Sequence, residues 1–228
     1  MANFNTYSVD GVEYPRVTTI LGIIDRPELR YWYAKVGANE AKRISDEAKQ
    51  FGTDFHSLCH EINLGEHRRR TWHPPSQFKD MAYAYINWMS ENLEEISHVE
   101  HQLISKTHVF GGTADLIARP RGKDGPYILD IKTSKSPSVE WPLQLAAYSI
   151  AAEENGIPIV GKAVIHVSKI GKAKVTYYDY NDPEGLDKTA FFAAYELWRW
   201  HQGKSDRLKR AKGVGAGDDP AAYDLTLD

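Results

Sequence analysis

The chain has 228 residues, a formal net charge of −3 and a pI near 6.3, with 42% hydrophobic and 26% charged residues. That length fits one domain with a substantial core, and the composition excludes a low-complexity or disordered chain. The slight acidity argues against strong nonspecific affinity for polyanions, whose usual footprint is a basic patch.

No apolar run approaches the length of a membrane span, and the first residues lack the basic and apolar regions of a signal peptide. Cys59 is the single cysteine, so an intramolecular disulfide framework is excluded. A reducing, cytoplasmic setting is the expectation, with no membrane association.

In chain order, residues 1–15 read as extended, with a turn at Asp10-Gly11. An apolar stretch from Thr18 to about Ile24 starts a helix capped by Thr18 or Thr19. Pro27 restarts a helix bearing Leu29, Trp32, Tyr33 and Val36, and a polar helix from about Asn39 leads to Gly52. From there Phe51, Phe55, Leu58 and Ile62 form a helical apolar stripe, with His56, Cys59, His60 and Asn63 on the neighbouring face. His56 and His60 are four apart, but Ser57 stands where a zinc-protease helix needs glutamate, which excludes that reading.

The break His73-Pro-Pro-Ser76 follows, and Ser76 is placed to cap a helix with an apolar face of Phe78, Met81, Ala82, Tyr85, Met89, Leu93 and Ile96. Strands are expected near 97–105, 109–118 and 126–133. Next comes a helix with Pro142 in its first turn that ends by Gly156. Val160–Val167 and Lys174–Tyr180 read as two more strands, and Pro183–Gly203 as a last helix. Beyond Lys212 the composition turns to glycine and aspartate, which reads as a mobile tail or a docking peptide.

The chemistry concentrates between Gly111 and Lys132. Gly-Gly-Thr-Ala-Asp115-Leu-Ile and Tyr-Ile-Leu-Asp130-Ile-Lys132 flank a loop, residues 119–126, rich in turn formers, so the two strands should pair as a hairpin. Alternation puts Asp130 and Lys132 on one face, with Tyr127, Leu129 and Ile131 facing a core on the other. Pairing would bring Asp115 close to Asp130. Two crowded carboxylates suit a hard divalent cation, Mg²⁺ or Mn²⁺, and the adjacent lysine suits an anion or an attacking water.

These residues resemble the PD-(D/E)XK nuclease superfamily, specifically its RecB-like exonuclease branch. Three further motifs stand in the order of that branch: Gly52-Thr-Asp-Phe-His56 upstream, Glu100 shortly before Asp115, and Gln144 with Tyr148 on the helix after Asp130-Ile-Lys132. The resemblance implies a restriction-endonuclease-like α/β core, with a central mixed β-sheet flanked by helices and an N-terminal helical part. It divides the chain into an N-terminal helical segment (1–50), a nuclease core (51–203) and a basic, then acidic tail (204–228).

The resemblance also implies Asp115, Asp130 and Lys132 as catalytic residues. Metal ligands would be His56, Asp115, Asp130 and the backbone carbonyl of Ile131, with Glu100, Gln144 and Tyr148 in support. Relatives that carry an iron–sulfur cluster hold it on four cysteines, and one thiol cannot do so. No Walker-type loop is present, so no ATP is expected. The expected activity is metal-dependent hydrolysis of single-stranded DNA or duplex ends, in recombination, repair or replication. A recombination or single-strand-binding protein is a conceivable partner. The alternatives are a structure-selective endonuclease and a non-catalytic DNA-binding module on the same fold. Basic contacts for DNA are sought among Arg68–Arg70, Arg119/Arg121/Lys123, Lys132/Lys135 and the run Arg199–Lys212.

Overall fold

The computed structural model describes residues 5–134, 136–179 and 185–211, without the side chains of Asp179 and 204–211. The expected tail beyond Lys212, along with Lys135, Tyr180 and Pro183, lies outside the described residues.

Strands β1 (Thr6–Val9) and β2 (Val12–Pro15) pair antiparallel across Asp10-Gly11. Asp10 (φ 52°) and Gly11 (φ 77°) both take positive φ, the signature of the two-residue type I′ hairpin that matches strand twist. Two short helices follow, α1 (Val17–Leu21) and α2 (Pro27–Val36), the second with proline at its first position. No side chain caps α1; Arg16, rather than a threonine, occupies the cap position.

Gly37, at φ 91°, separates α2 from α3 (Ala38–Asn63). Helix α3 runs without interruption through Gly52 and through residues 50 and 51, where the sequence reading divides N-terminal segment from core. Ion pairs of Arg43 with Glu40 and Glu47, and of Lys42 with Asp46, lace its exposed first half. Its second half carries the apolar stripe into the core. A single 3-10 turn, Ser76–Phe78, leads into α4 (Lys79–Asn92), and Ser76 makes no cap.

Strand β3 (Leu93–Ser105) begins four residues earlier than expected. Leu93 and Ile96 fit a helical stripe as well as a strand, and pairing with Pro120 and Ala118 decides for the strand. After it come β4 (Phe110–Pro120), β5 (Tyr127–Lys132), α5 (Glu140–Glu154), β6 (Gly161–Ser168), β7 (Lys172–Asp179) and α6 (Leu186–Ala211). The last helix thus extends beyond Gly203.

The five strands lie in the order β3-β4-β5-β6-β7, antiparallel except for the parallel β5–β6 pair, whose crossover is α5. The result is an α/β fold with a central mixed sheet between helical layers, preceded by a region that contains a hairpin as well as helices. Among the described residues no helix is long and apolar enough to cross a membrane.

Each face of the sheet has its own core. On one, α3 and α4 place Phe55, Leu58, Ile62, Met81 and Tyr85 against Leu116, Leu129 and Ile131. On the other, α1, α5 and α6 place Ile20, Leu145, Ile150 and Phe191 against Leu103, Phe110, Ile117 and Ile128. Complete burial of a side chain such as Phe55 or Met81 contributes about 1.5–3 kcal/mol. Helix α5 lies between the sheet and α6, which is why its sequence is apolar on most sides.

Candidate metal and active site

Strands β4 and β5 pair as expected, but their ladder runs only from Ala118↔Tyr127 to Leu116↔Leu129. At the next position the strands part, and the Ile131 N–H donates to Asp115 Oδ2 at 2.7 Å instead of to a backbone carbonyl. Asp115 thereby closes the fork between the strands. The predicted alternation on β5 holds: Leu129 and Ile131 enter the α3/α4 core, and Asp130 and Lys132 face α5.

Glu100 on β3 stands opposite Asp115 between two paired positions, and here the backbone departs from strand geometry. Val99↔Leu116 and His101↔Ala114 pair on either side, while Glu100 takes φ 47°. A left-handed residue within a strand switches which face the following side chains meet. His98 and His101, three apart, accordingly bring their rings to 4.5 Å centroid to centroid. Opposite them, Ala114 packs in the α5-side core and Leu116 in the α3/α4 core, with Asp115 at the crossover.

His56 on α3 completes the arrangement, its Nδ1 3.4 Å from Asp115 Oδ1. His56, Glu100 and Asp115 each offer a ligand atom within 4.8 Å of the others. Asp130 lies beside this group and is engaged elsewhere. Its Oδ2 is 2.6 Å from Lys132 Nζ, and its Oδ1 accepts from Gln144 Nε2 at 3.2 Å. Gln144 also accepts from Lys132 Nζ at 3.3 Å and donates to Tyr148 Oη at 2.8 Å. Tyr148 reaches this position because Gly112 has no side chain; a Cβ there would run into its ring. The structure thus brings together all eight residues singled out in the sequence, with Glu100 rather than Asp130 in the three-ligand group.

Burial and charge tune the set. Burial would push the His56 imidazole down, but the charge and hydrogen bond of Asp115, with Asp130 behind it, outweigh this and hold it at about 9. Burial, reinforced by Asp115, raises the Glu100 carboxyl to about 7. Burial also raises Asp130, against the pull of Lys132 and with the repulsion of Asp115. Asp115 is held below its ordinary range, because His56 and Lys132 overcome its desolvation. Lys132 resists burial and stays high because Asp130 and Asp115 surround it. Glu100, Asp115 and Asp130 gathered around His56 have the donor chemistry of a divalent-cation site: hard oxygens with one imidazole.

The left-handed Glu100 costs about 1–2 kcal/mol relative to a regular strand residue. Glu100→Gly is therefore expected to raise the apo melting temperature by a few degrees while weakening metal binding, read by melting with and without Mn²⁺. A lower apo melting temperature would contradict this account of the backbone.

Several expected basic contacts are already occupied. Arg119 lies within 3.4–3.6 Å of Glu94 and Glu95, Arg69 pairs with Glu66, and Arg199 with Glu196. Arg121 donates to the Ser90 carbonyl. Sequence reasoning overlooked Arg16, which lines one cavity together with Glu100 and carries no motif to mark it.

The profile of the PD-(D/E)XK nuclease superfamily matches residues 26–212, and the chain belongs to that superfamily. No curated protein matches it. Among solved structures it is similar to SSO0001, at 15% identity and a TM-score of 0.46, over 89% of this chain and 78% of that one. It is also similar to an alkaline exonuclease (LHK-Exo) from Laribacter hongkongensis, at 12% identity and a TM-score of 0.42, over 86% of this chain and 94% of that one. The superfamily's fold and the candidate metal-binding triad are consistent with nuclease activity in general.

Proposed function

We propose that the chain is a Mg²⁺- or Mn²⁺-dependent DNA exonuclease of the RecB-like type, acting on single strands or duplex ends without a motor. The observation that carries this reading is the meeting of Asp115, Asp130 and Lys132 with His56 and Glu100 at the fork of β4 and β5. Support comes from the order of the motifs, His56, Glu100, Asp115, Asp130-Ile-Lys132 and Gln144/Tyr148, and from the absence of a nucleotide-binding loop.

His56, Glu100 and Asp115 would hold the cation, with Asp130 and the Ile131 carbonyl beside them. When bound, the cation supplies Lewis-acid polarisation of the phosphate and eases loss of a proton from water. The chain's own residues do the rest. Lys132, protonated at neutral pH, places positive charge beside the scissile phosphate and orients the attacking water; its raised pKa opposes a role as base. Gln144 fixes Lys132 and Asp130 in register, and Tyr148 fixes Gln144.

The test is a time course on 5′- and 3′-labelled single- and double-stranded DNA with Mg²⁺, Mn²⁺ or chelator, alongside a closed single-stranded circle. Metal-dependent shortening from an end with the circle left intact is expected. Cutting of the circle would replace the exonuclease by an endonuclease. Absence of cleavage with metal, together with metal binding unchanged in Asp115→Ala, would leave a non-catalytic module.

A further inference from the structure

Helix α5 carries a third polar side chain on the face of Gln144 and Tyr148. Glu140, its first residue, stands one turn before Gln144, so Glu140, Gln144 and Tyr148 form one stripe along the helix. That stripe is turned toward the catalytic strand, since Gln144 contacts both Lys132 and Asp130. Burial disfavours the charged form of Lys132; Asp130 and Asp115, and behind them Glu140, hold it charged. Glu140 thus acts on the ammonium from the side of α5.

A bare carboxylate in that place would work against the chemistry. An ammonium has three donors. Asp130 and Gln144 accept two of them, and among the described residues no further acceptor holds the third, which is left for the scissile phosphate. Unneutralised, Glu140 would compete for that donor and repel the phosphate. Arg26 neutralises it: the guanidinium Nε donates to Glu140 Oε1 at 2.6 Å and Nη2 donates to Oε2, a two-point pair. The Glu140 side chain is 12% exposed, where water screens a charge poorly, and that of Arg26 is 44% exposed, so the cation reaches it from the surface. Asp25, the neighbour of Arg26, is engaged by Arg30 at 2.7 Å and does not compete.

We propose that Arg26 is a positioning residue for DNA cleavage: by neutralising Glu140 it leaves Lys132 free to meet the scissile phosphate. The inference rests on the nuclease reading and gives Arg26 no contact with DNA or metal. It has a signature that a structural tie between α2 and α5 lacks. If the pair served only to hold the two helices together, breaking it from either side would cost the same, and removing both partners would restore nothing. If Arg26 serves to cancel a charge, only the variant that bares Glu140 suffers, and removing the Glu140 charge as well repairs it.

The experiment compares the wild type with Arg26→Gln, Glu140→Gln and the double variant that carries both. Single-turnover cleavage of an end-labelled single strand at saturating protein is read with Mg²⁺ or Mn²⁺, and affinity for the same strand with Ca²⁺. Arg26→Gln should cleave roughly tenfold more slowly, the size of the coupling between charged groups in contact. Glu140→Gln and the double variant should cleave within about threefold of the wild type, since an exposed guanidinium left without its partner costs little. Affinity in Ca²⁺ should change less than the rate. Equal losses in all three variants would make the pair a structural tie and overturn the proposal. A loss of affinity in Arg26→Gln that the second substitution does not repair would make Arg26 a DNA contact and overturn it too. If Arg26→Gln does not fold, Arg26→Lys carries the test, because it keeps the charge and loses only the fork. It should cleave within about threefold of the wild type, and a roughly tenfold loss overturns the proposal. Wild-type cleavage that none of the variants changes removes the role of Arg26 alone, whereas no cleavage by the wild type with any metal removes the nuclease reading and this inference with it.

Discussion

Lys132→Met is expected to lower the turnover of metal-dependent DNA cleavage by about 10²–10³-fold, the scale on which preorganised charge at a transition state acts. Methionine keeps much of the stem's volume and removes only the ammonium. That ammonium is 2.6 Å from Asp130 and 3.3 Å from Gln144, and its carboxylate neighbours keep it charged. It therefore contributes charge and donors rather than accepting a proton. Its removal leaves the buried Asp130 without a cation, so the apo protein should melt lower and recover when metal is added. Single-turnover rates at saturating DNA isolate the effect on chemistry. An undiminished rate would remove Lys132 from the site.

Asp115→Asn should weaken metal binding by more than about 100-fold, beyond the loss expected for an outer partner alone. The asparagine oxygen can still accept from the Ile131 N–H, so the apo fold should survive. Asp115→Ala should add a destabilisation of about 1–3 kcal/mol, because that buried N–H then has no acceptor.

The same residue sets a pH dependence. His56, held at about 9, and Glu100, at about 7, must both lose their protons before they can ligate a cation. Metal affinity should therefore rise about tenfold per pH unit between roughly 7 and 9, and more steeply below 7. Apo stability runs the other way. Both groups have folded values raised above their unfolded ones, so each contributes stability that is full below its unfolded value. That stability is lost as the pH rises through about 7 for Glu100 and about 9 for His56. Calorimetric titration of Mn²⁺ in buffers of different ionisation heat counts the released protons. Affinity independent of pH from 7 to 9 would contradict the assigned charges, and in Asp115→Asn the His56 proton should be lost at lower pH.

Much of this site was legible because its chemistry follows short-range periodicity. The alternation on β5 was enough to put Asp130 and Lys132 on one face, and the four-residue spacing on α5 was enough to align Gln144 with Tyr148. The turn-rich residues 119–126 announced the β4–β5 pairing. What escaped depends on tertiary context. Nothing local to Glu100 forecasts a left-handed residue inside a strand, and it is this turn of the backbone that accompanies its entry into the ligand group. A polar helix up to Gly52 and an apolar stripe from Phe51 are one helix, α3, which passes straight through the glycine, because glycine permits a break without requiring one. Leu93 and Ile96 satisfied two periodicities at once, and pairing with β4 chose between them. Arg16 is 84 residues from Glu100 in sequence, and only the docking of the hairpin on β4 brings both to the lining of one cavity.

The most direct measurement is cleavage of an end-labelled single-stranded oligonucleotide by the wild type and by Asp115→Asn, each with Mg²⁺, Mn²⁺ or chelator. The account predicts shortening by the wild type only with metal, none by Asp115→Asn under any condition, and folded protein in both cases. Equal cleavage by the two proteins, or cleavage that persists in chelator, would contradict it.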